Sequence, residues 1–284
     1  MLTLTKSYSF AVGLKCSCCH KEYPLNTLNT FADCCTRPLV VEYDEEYSLD
    51  KNQLATRQQN MWRYAEMLPV LNKENIVSLG EGMTPIFELN KLGAAYGFSD
   101  LLMKDETSNP TGSFKARGLS MAVSKAKEFG IEHCIIPTAG NAGGALAAYC
   151  AKADIKCTVV MPTHTPKIFK QECELYGAEL ILVDGLINDC AKKIGELNSS
   201  HKYFDISTLK EPYRLEGKKQ WVTKLPNSLT GNCLMLLFIL PVEAQGLLGS
   251  GKHLKKCWLL VGSPVHYRGC MLYSHKIAHQ YYMH

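Results

Sequence analysis

Between residues 101 and 183 the sequence alternates short apolar runs with longer segments of helical period, and this alternation limits the chain to few architectures. Leu101-Leu102-Met103-Lys104, Cys134-Ile135-Ile136-Pro137, Lys156-Cys157-Thr158-Val159-Val160-Met161 and Glu179-Leu180-Ile181-Leu182-Val183 read as strands. Ser113 to Phe129 reads as a helix with Ala116, Leu119, Ala122, Val123 and Ala126 along one side. Ala142 to Ala153 and Pro166 to Tyr176 read as two more helices. Strands that alternate with helices of about 10–15 residues build an α/β fold, a parallel sheet with helices on both faces. Ligands of such sheets sit at the carboxyl ends of the strands, where loops enter helices.

Composition narrows the class further. At 46% hydrophobic and 20% charged residues, the 284-residue chain has the make-up of a folded protein. No run reaches the roughly 18 apolar residues that span a bilayer, and the start Met1-Leu2-Thr3-Leu4-Thr5-Lys6 lacks the order of a secretion signal. A cytoplasmic protein without membrane partners is therefore expected. The net charge of +4 is uneven, with +5 on residues 220–284 and −1 on the rest. These basic residues are scattered among Leu, Ser and Gly rather than gathered in a stripe, so no nucleic-acid partner is expected.

Five of the thirteen cysteines fall between residues 16 and 35, where a reducing compartment favours free thiols or a metal site over disulfides. Cys16 and Cys19 form a C-x2-C knuckle, and Cys34 and Cys35 follow before Thr36-Arg37-Pro38-Leu39. A zinc ribbon takes paired thiolates from two knuckles. The position that pairs with Cys35 in a second C-x2-C is Ala32, which leaves Cys34, Cys18 or His20 as alternatives for the fourth ligand. The incomplete spacing favours a thiol-rich module without metal, and no residue is assigned as a metal ligand.

Two loops carry chemistry. In Asn109-Pro110-Thr111-Gly112-Ser113-Phe114-Lys115-Ala116-Arg117-Gly118, Pro110 and Gly112 make a turn, Ser113 suits an N-cap, and Lys115 falls in the first helical turn. The amide donors and positive dipole end of a helix start disfavour an ammonium, so such a lysine loses its proton more easily and becomes a nucleophile toward carbonyls. The next loop, Pro137 to Ala145, combines small residues with Asn141, whose amide both donates and accepts. Small residues there also serve tight helix–sheet packing. A condensing lysine beside a small-residue loop bearing one amide is what a pyridoxal phosphate site requires.

Asn109 to Gly118 and Thr138 to Ala145, with Gly80-Glu81-Gly82-Met83-Thr84-Pro85, Trp62-Arg63-Tyr64 and the cysteine-bearing opening, closely resemble the threonine synthases among fold-type II pyridoxal phosphate enzymes. The resemblance runs from about residue 12 to about residue 219. It implies the tryptophan synthase β-like fold with parallel sheets, and pyridoxal 5'-phosphate as cofactor. It further implies Lys115 as the catalytic lysine that condenses with the cofactor aldehyde, with Phe114, Gly140 and Asn141 contacting the cofactor. The implied substrate is O-phospho-L-homoserine, converted with water to L-threonine and phosphate, and a homodimer is one assembly open to the full-length form. A threonine or serine dehydratase, and a non-catalytic fragment, are the competing readings. The expected organisation is a cysteine-rich module at 1–45, an α/β region of two interleaved subdomains at 46–219, and a tail at 220–284.

That tail breaks the resemblance abruptly after Gly217-Lys218-Lys219. The resemblance implies a continuation Lys-Lys-Thr-Met-Gly-Tyr-Glu and, later, a phosphate-binding Gly-Gly-Gly-Thr-Gly loop. If Lys218 to Val222 is encoded AAA AAA CAA TGG GTT, restoring one A gives Lys-Lys-Thr-Met-Gly, and the same shift turns Val242-Glu243-Ala244-Gln245-Gly246 into the missing loop. The expectation is that residues 220–284 are out-of-frame translation, leaving the C-terminal part of the fold incomplete and this chain impaired or inactive. Reading the nucleotides of codons 217–221 tests it. A single-base deletion in the A-run is the expected result, and absence of any indel that restores the longer frame refutes it.

Overall fold

The computed structural model describes residues 8–44, 51–96, 102–200 and 202–219. Residues 220–284, and Leu101 at the start of the first expected strand, lie outside them. The chain opens with a three-stranded antiparallel sheet in which β1 (Ala11–Cys16) lies between β2 (Glu22–Tyr23) and β3 (Leu39–Tyr43). In β3 the buried residues alternate, with Leu39, Val41 and Tyr43 turned inward, as the two-residue period of a half-buried strand dictates. Their apolar cluster runs on without interruption into that of the α/β region.

Helix α1 (Lys51–Thr56) and a 3-10 segment at Met61–Met67 follow. Strand β4 (Ile86–Glu88) and helix α2 (Asn90–Tyr96) lead to β5 (Leu102–Lys104). The sequence placed β5 in the parallel sheet. Instead it pairs antiparallel with β4 in a separate two-stranded ribbon. Three residues of one hydrophobic pattern do not tell which neighbour a strand will meet.

Beyond β5 the expected alternation is present. Helix α3 (Lys115–Glu128), β6 (His133–Pro137), α4 (Asn141–Ala153), β7 (Lys156–Pro162), α5 (Lys167–Leu175), β8 (Glu179–Val183), α6 (Ile187–Leu197) and β9 (Phe204–Asp205) follow in turn. The sheet has the order β8-β7-β6-β9, and every pairing is parallel. Successive side chains of a strand leave opposite faces, which explains the near-continuous apolar runs. Ile135 and Val160 pack against Cys190 and Ile194 of α6 on one face. Cys134, Ile136, Val159 and Met161 join the larger core that contains α3 and α4 on the other. The fold is α/β with a parallel sheet covered on both faces.

Helix α3 departs from its one-sided pattern, being buried on all sides from Ala116 to Ala126. Its polar residues explain this. The Ser124 hydroxyl accepts from the Val77 amide at 2.8 Å, and Ser120 Oγ lies 2.7 Å from the Val77 carbonyl. Lys125 pairs with Glu128 at 2.5 Å, and that carboxylate also accepts from the Leu71 and Asn72 amides. The 61–82 segment therefore covers the helix face that the sheet leaves bare.

The Gly80 to Pro85 motif welds these parts together. Glu81 is fully buried and accepts from Trp62 Nε1 at 2.8 Å, Tyr149 Oη of α4 at 2.6 Å and the Leu79 amide at 2.9 Å, with Ser120 Oγ of α3 2.6 Å away. Gly82 has φ +104, and a Cβ there would lie 2.5 Å from the Met61 amide nitrogen. Gly80 has φ +94 but nothing within 4 Å of such a Cβ. Gly82→Ala adds a backbone clash to the strain of about 1–3 kcal/mol that Gly80→Ala incurs, so it is expected to lower the thermal unfolding midpoint more. Equal midpoints for the two variants would contradict this packing.

Candidate active site

The lysine loop is fixed from below by a buried ion pair. Arg117 Nε and Nη2 donate to Glu106 Oε2 and Oε1 at 2.6 and 2.9 Å. Thr84 Oγ1 and Asn109 Nδ2 donate to the same carboxylate at 2.6 and 2.9 Å. Burial opposes ionisation of Glu106, but the Arg117 guanidinium and the surrounding donors hold its carboxyl below the ordinary range. Asn109 Oδ1 also accepts from the Gly82 amide at 3.0 Å, tying the loop to the glycine motif. Between these anchors Pro110–Gly112 forms a 3-10 turn, with Thr111 and Gly112 at φ 62 and 65. Ser113 is extended, so the helix starts at Lys115, two residues after its expected start, and the Ser113 hydroxyl accepts from the Lys115 amide at 3.3 Å.

Lys115 is half-buried in the first turn of α3, its Nζ 4.0 Å from the Phe114 ring centroid. Burial, together with the charge of Arg214, pulls its ammonium from 10.5 down to about 7. The direction is the expected one. Its causes are desolvation, the larger, and the like charge of Arg214.

Arg214 belongs to a cluster that the sequence reading did not single out. Residues 213–219 are helical and lie across α3 at two glycines. A Cβ on Gly118 would sit 3.0 Å from the Arg214 carbonyl oxygen, and one on Gly217 only 2.2 Å from that of Arg117. This close approach brings Arg214 and Lys218 beside Lys115. Lys218 Nζ is 5.3 Å from the Phe114 centroid, and burial together with Arg214 and Lys115 drives its ammonium well below the usual range. Arg214 Nη1 donates to the Ile206 carbonyl at 2.7 Å, while its buried Nε has no hydrogen-bond partner among the described residues. Glu211 accepts from the Tyr213 and Arg214 amides at 2.6 and 3.0 Å, and burial lifts its carboxyl to about 7 against the pull of Arg214. Glu211, Arg214 and Lys218 stand at i, i+3 and i+7 with Gly217 beside them, a helical-face pattern that was present in the sequence.

The second loop ends at the start of α4, which packs on both α3 and the 110–112 turn. Asn141 is exposed there, and Gly140 has nothing within 4 Å of where a Cβ would be. Gly143 is different, since its Cβ would meet Met161, Thr138 and Cys173 at 2.7–3.0 Å. Gly143 thus serves helix–sheet packing, and Gly140 and Asn141 face open space. A deprotonatable amine beside an aromatic ring and an open glycine turn with one amide suit an aldehyde-bearing aromatic cofactor.

The profile of the family described as "Pyridoxal-phosphate dependent enzyme" matches residues 77–249, which include 220–249, beyond the end of the resemblance read from the sequence. The chain belongs to this family, whose cofactor is pyridoxal phosphate. Among curated proteins it is 35% identical over 209 residues to "Threonine synthase" of Methanocaldococcus jannaschii, covering 72% of this chain and 51% of that protein. It is 34% identical over 208 residues to "Threonine synthase" of Methanosarcina acetivorans, with the same coverage of 72% and 51%. The chain thus spans about half the length of these relatives. Of solved structures, diaminopropionate ammonia lyase of Escherichia coli in apo form aligns with TM-score 0.60 at 16% identity, over 76% of this chain and 64% of that one. The processed form of threonine deaminase isoform 2 from Solanum lycopersicum aligns with TM-score 0.56 at 19% identity, over 74% and 57%. At these identities the two structures establish the fold alone. Among the described residues no helix is long and apolar enough to cross a membrane.

The pH behaviour of Lys115 follows. With its value at about 7 instead of 10.5, folding releases a proton between those pH values, so this residue's contribution to stability rises with pH across that window and is least favourable below it. Condensation of Lys115 with pyridoxal phosphate, trapped by borohydride at each pH, is expected to rise through an inflection near pH 7. An inflection near the ordinary lysine value would mean that the amine is solvated.

Proposed function

We propose that the site around Lys115 is that of a threonine synthase, acting on O-phospho-L-homoserine and water to give L-threonine and phosphate. The observation that carries this reading is the burial of Arg214 and Lys218 beside Lys115, with Glu211 the carboxylate set among them. Arg214 brings a buried guanidinium with an unpartnered Nε, and an anion placed there would restore the charge of the neighbouring Lys218, which favours a substrate that bears a phosphate besides its carboxylate. The similarity to threonine synthases supports the same choice. Serine and threonine, the substrates of a dehydratase, carry no second anion.

When bound, pyridoxal phosphate supplies an aldehyde for the amine and a ring that accepts the electron pair freed at Cα. Phe114 lies beside the Lys115 amine, and Phe114, Gly140 and Asn141 would hold the cofactor, Asn141 by its amide. Lys115, neutral in good part near pH 7, takes the Cα proton and serves the transfers at Cβ that precede departure of phosphate from Cγ. Arg214 and Lys218 hold the phosphate as its negative charge grows. Water then adds at Cβ, and Lys115 is placed to return protons at Cγ and Cα.

The test supplies phosphohomoserine, and separately threonine and serine, to the chain as it stands and to the product of the restored reading frame. Threonine with equimolar phosphate is expected from the restored product, with little or no activity from the chain as it stands. Lys115→Ala is expected to lower turnover by about 10²–10⁴-fold or more and to abolish borohydride fixation of the cofactor. Keto acids from hydroxy amino acids, without phosphate release, would assign a dehydratase instead. Absence of borohydride fixation from the unsubstituted protein would mark a non-catalytic chain.

A further inference from the structure

The cysteine-rich opening converges at one point. The four Sγ atoms of Cys16, Cys19, Cys34 and Cys35 all lie within 4.8 Å of one another. Cys16 is 3.2 Å from Cys35, Cys19 is 3.0 Å from Cys34, and Cys34 is 3.6 Å from Cys35. Two disulfides would set the sulfurs in isolated pairs at about 2.0 Å. Here no pair is that close, and separations of 3.0–3.6 Å link Cys19, Cys34, Cys35 and Cys16 in succession. A tetrahedral ion with Zn–S bonds of about 2.3 Å sets its ligands about 3.8 Å apart, within the span of these separations.

The two turns that carry the thiols share one backbone design. In the first, the Cys16 amide donates to the Lys21 carbonyl at 2.8 Å and the His20 amide to the Cys16 carbonyl at 3.2 Å. In the second, the Ala32 amide donates to the Arg37 carbonyl at 2.9 Å and the Thr36 amide to the Ala32 carbonyl at 2.8 Å. Each turn ends in a left-handed residue directly after a cysteine, His20 at φ 63 and Thr36 at φ 50. Ala32 therefore occupies the place of Cys16, and Cys35 that of Cys19. Ala32 is buried with a methyl where the first turn has a thiol, and Cys34 provides the fourth sulfur. Cys18 and His20, the other candidates, are exposed and stand outside the ring.

We propose that Cys16, Cys19, Cys34 and Cys35 bind one Zn²⁺ as a closed tetrathiolate, a structural site whose two turns match although only one is a C-x2-C. Binding exchanges the S–H protons of the four thiols for the ion and leaves a net charge of −2 on the centre. The Cys18 amide, 3.4 Å from Cys16 Sγ, helps to spread that charge. Besides the backbone bond from the Ser17 amide to the Pro38 carbonyl, the side-chain links between the two turns include the exposed Lys21–Asp33 pair at 3.0 Å and the Tyr23–Asp33 hydrogen bond. Such contacts add little in water. The ion also steadies β3, whose Tyr43 hydroxyl donates to Glu216 Oε2 at 2.6 Å, one residue from Gly217 and two from Lys218.

The test uses the full chain, prepared under reducing conditions and assayed with Zn²⁺ alone, then with Co²⁺. One Zn²⁺ per chain, protection of four thiols from alkylation until a chelator is added, and a thiolate-to-cobalt charge-transfer band are expected. Cys34→Ser and Cys35→Ser are expected to weaken Zn²⁺ by more than the roughly 10–100-fold that losing an outer-shell partner costs, while Cys18→Ser leaves it unchanged. A chain with Ala32→Cys added to Cys34→Ser is expected to regain tight binding, which separates loss of a ligand from loss of the fold. Failure to bind stoichiometric Zn²⁺, two disulfides in the reduced preparation, equal damage from Cys18→Ser and Cys34→Ser, or no rescue by Ala32→Cys would overturn the proposal.

Discussion

The carboxylate of Glu81 holds the described structure together. It has no exposed surface, so its desolvation, several kcal/mol for an ion in a protein interior, must be offset by the groups around it. Trp62, Tyr149, the Leu79 amide and Ser120 supply charge-assisted hydrogen bonds, each about 1.5–3 kcal/mol. These donors come from the 61–67 segment, α4, Leu79 just before the glycine motif, and α3. Burial and the neighbouring carboxylate push the Tyr149 phenol far above its ordinary range, which keeps it a donor. A motif of six residues thereby fixes the separation of the two helices that carry Lys115 and Asn141.

The depressed ammonium of Lys115 has a different source. Glu106 neutralises Arg117 beneath the loop, so the loop is rigid without placing a carboxylate against the lysine. On its other side stand Arg214 and Lys218, held close because Gly118 and Gly217 let two backbones approach nearer than side chains allow. Like charges in a poorly solvated place favour the neutral amine. In the proposed function the same groups meet an anionic partner, so one arrangement would both depress the Lys115 ammonium and select what approaches it.

The N-terminal sheet reaches that arrangement from behind. Tyr43 contacts Glu216, Lys219 lies over the Tyr43 ring with its Nζ 3.7 Å from the centroid, and the core of the sheet is continuous with that of the α/β region. The cysteine-rich opening is thus a support for the 213–219 stretch.

The alternation of strands and helices, the place of Lys115 in a first helical turn and the small-residue turn after β6 were legible in the sequence, because local period and turn chemistry determine them. Their meaning was not. Helix α3 read as one-sided because Ser120 and Ser124 look polar until Val77 is in place, and Lys125 until it meets Glu128, whose carboxylate accepts from the Leu71 and Asn72 amides. The partner of β5, the fourth thiol at Cys34 rather than at Cys18 or His20, and the company of Arg214 and Lys218 at Lys115 depend on contacts between residues distant in the chain. The sequence by itself determined the alternating strands and helices from α3 to β8 and the place of Lys115 in a first helical turn. Only the tertiary structure decided how burial and neighbouring charge set that amine's protonation, because desolvation and Coulomb terms depend on distances in space rather than on order along the chain.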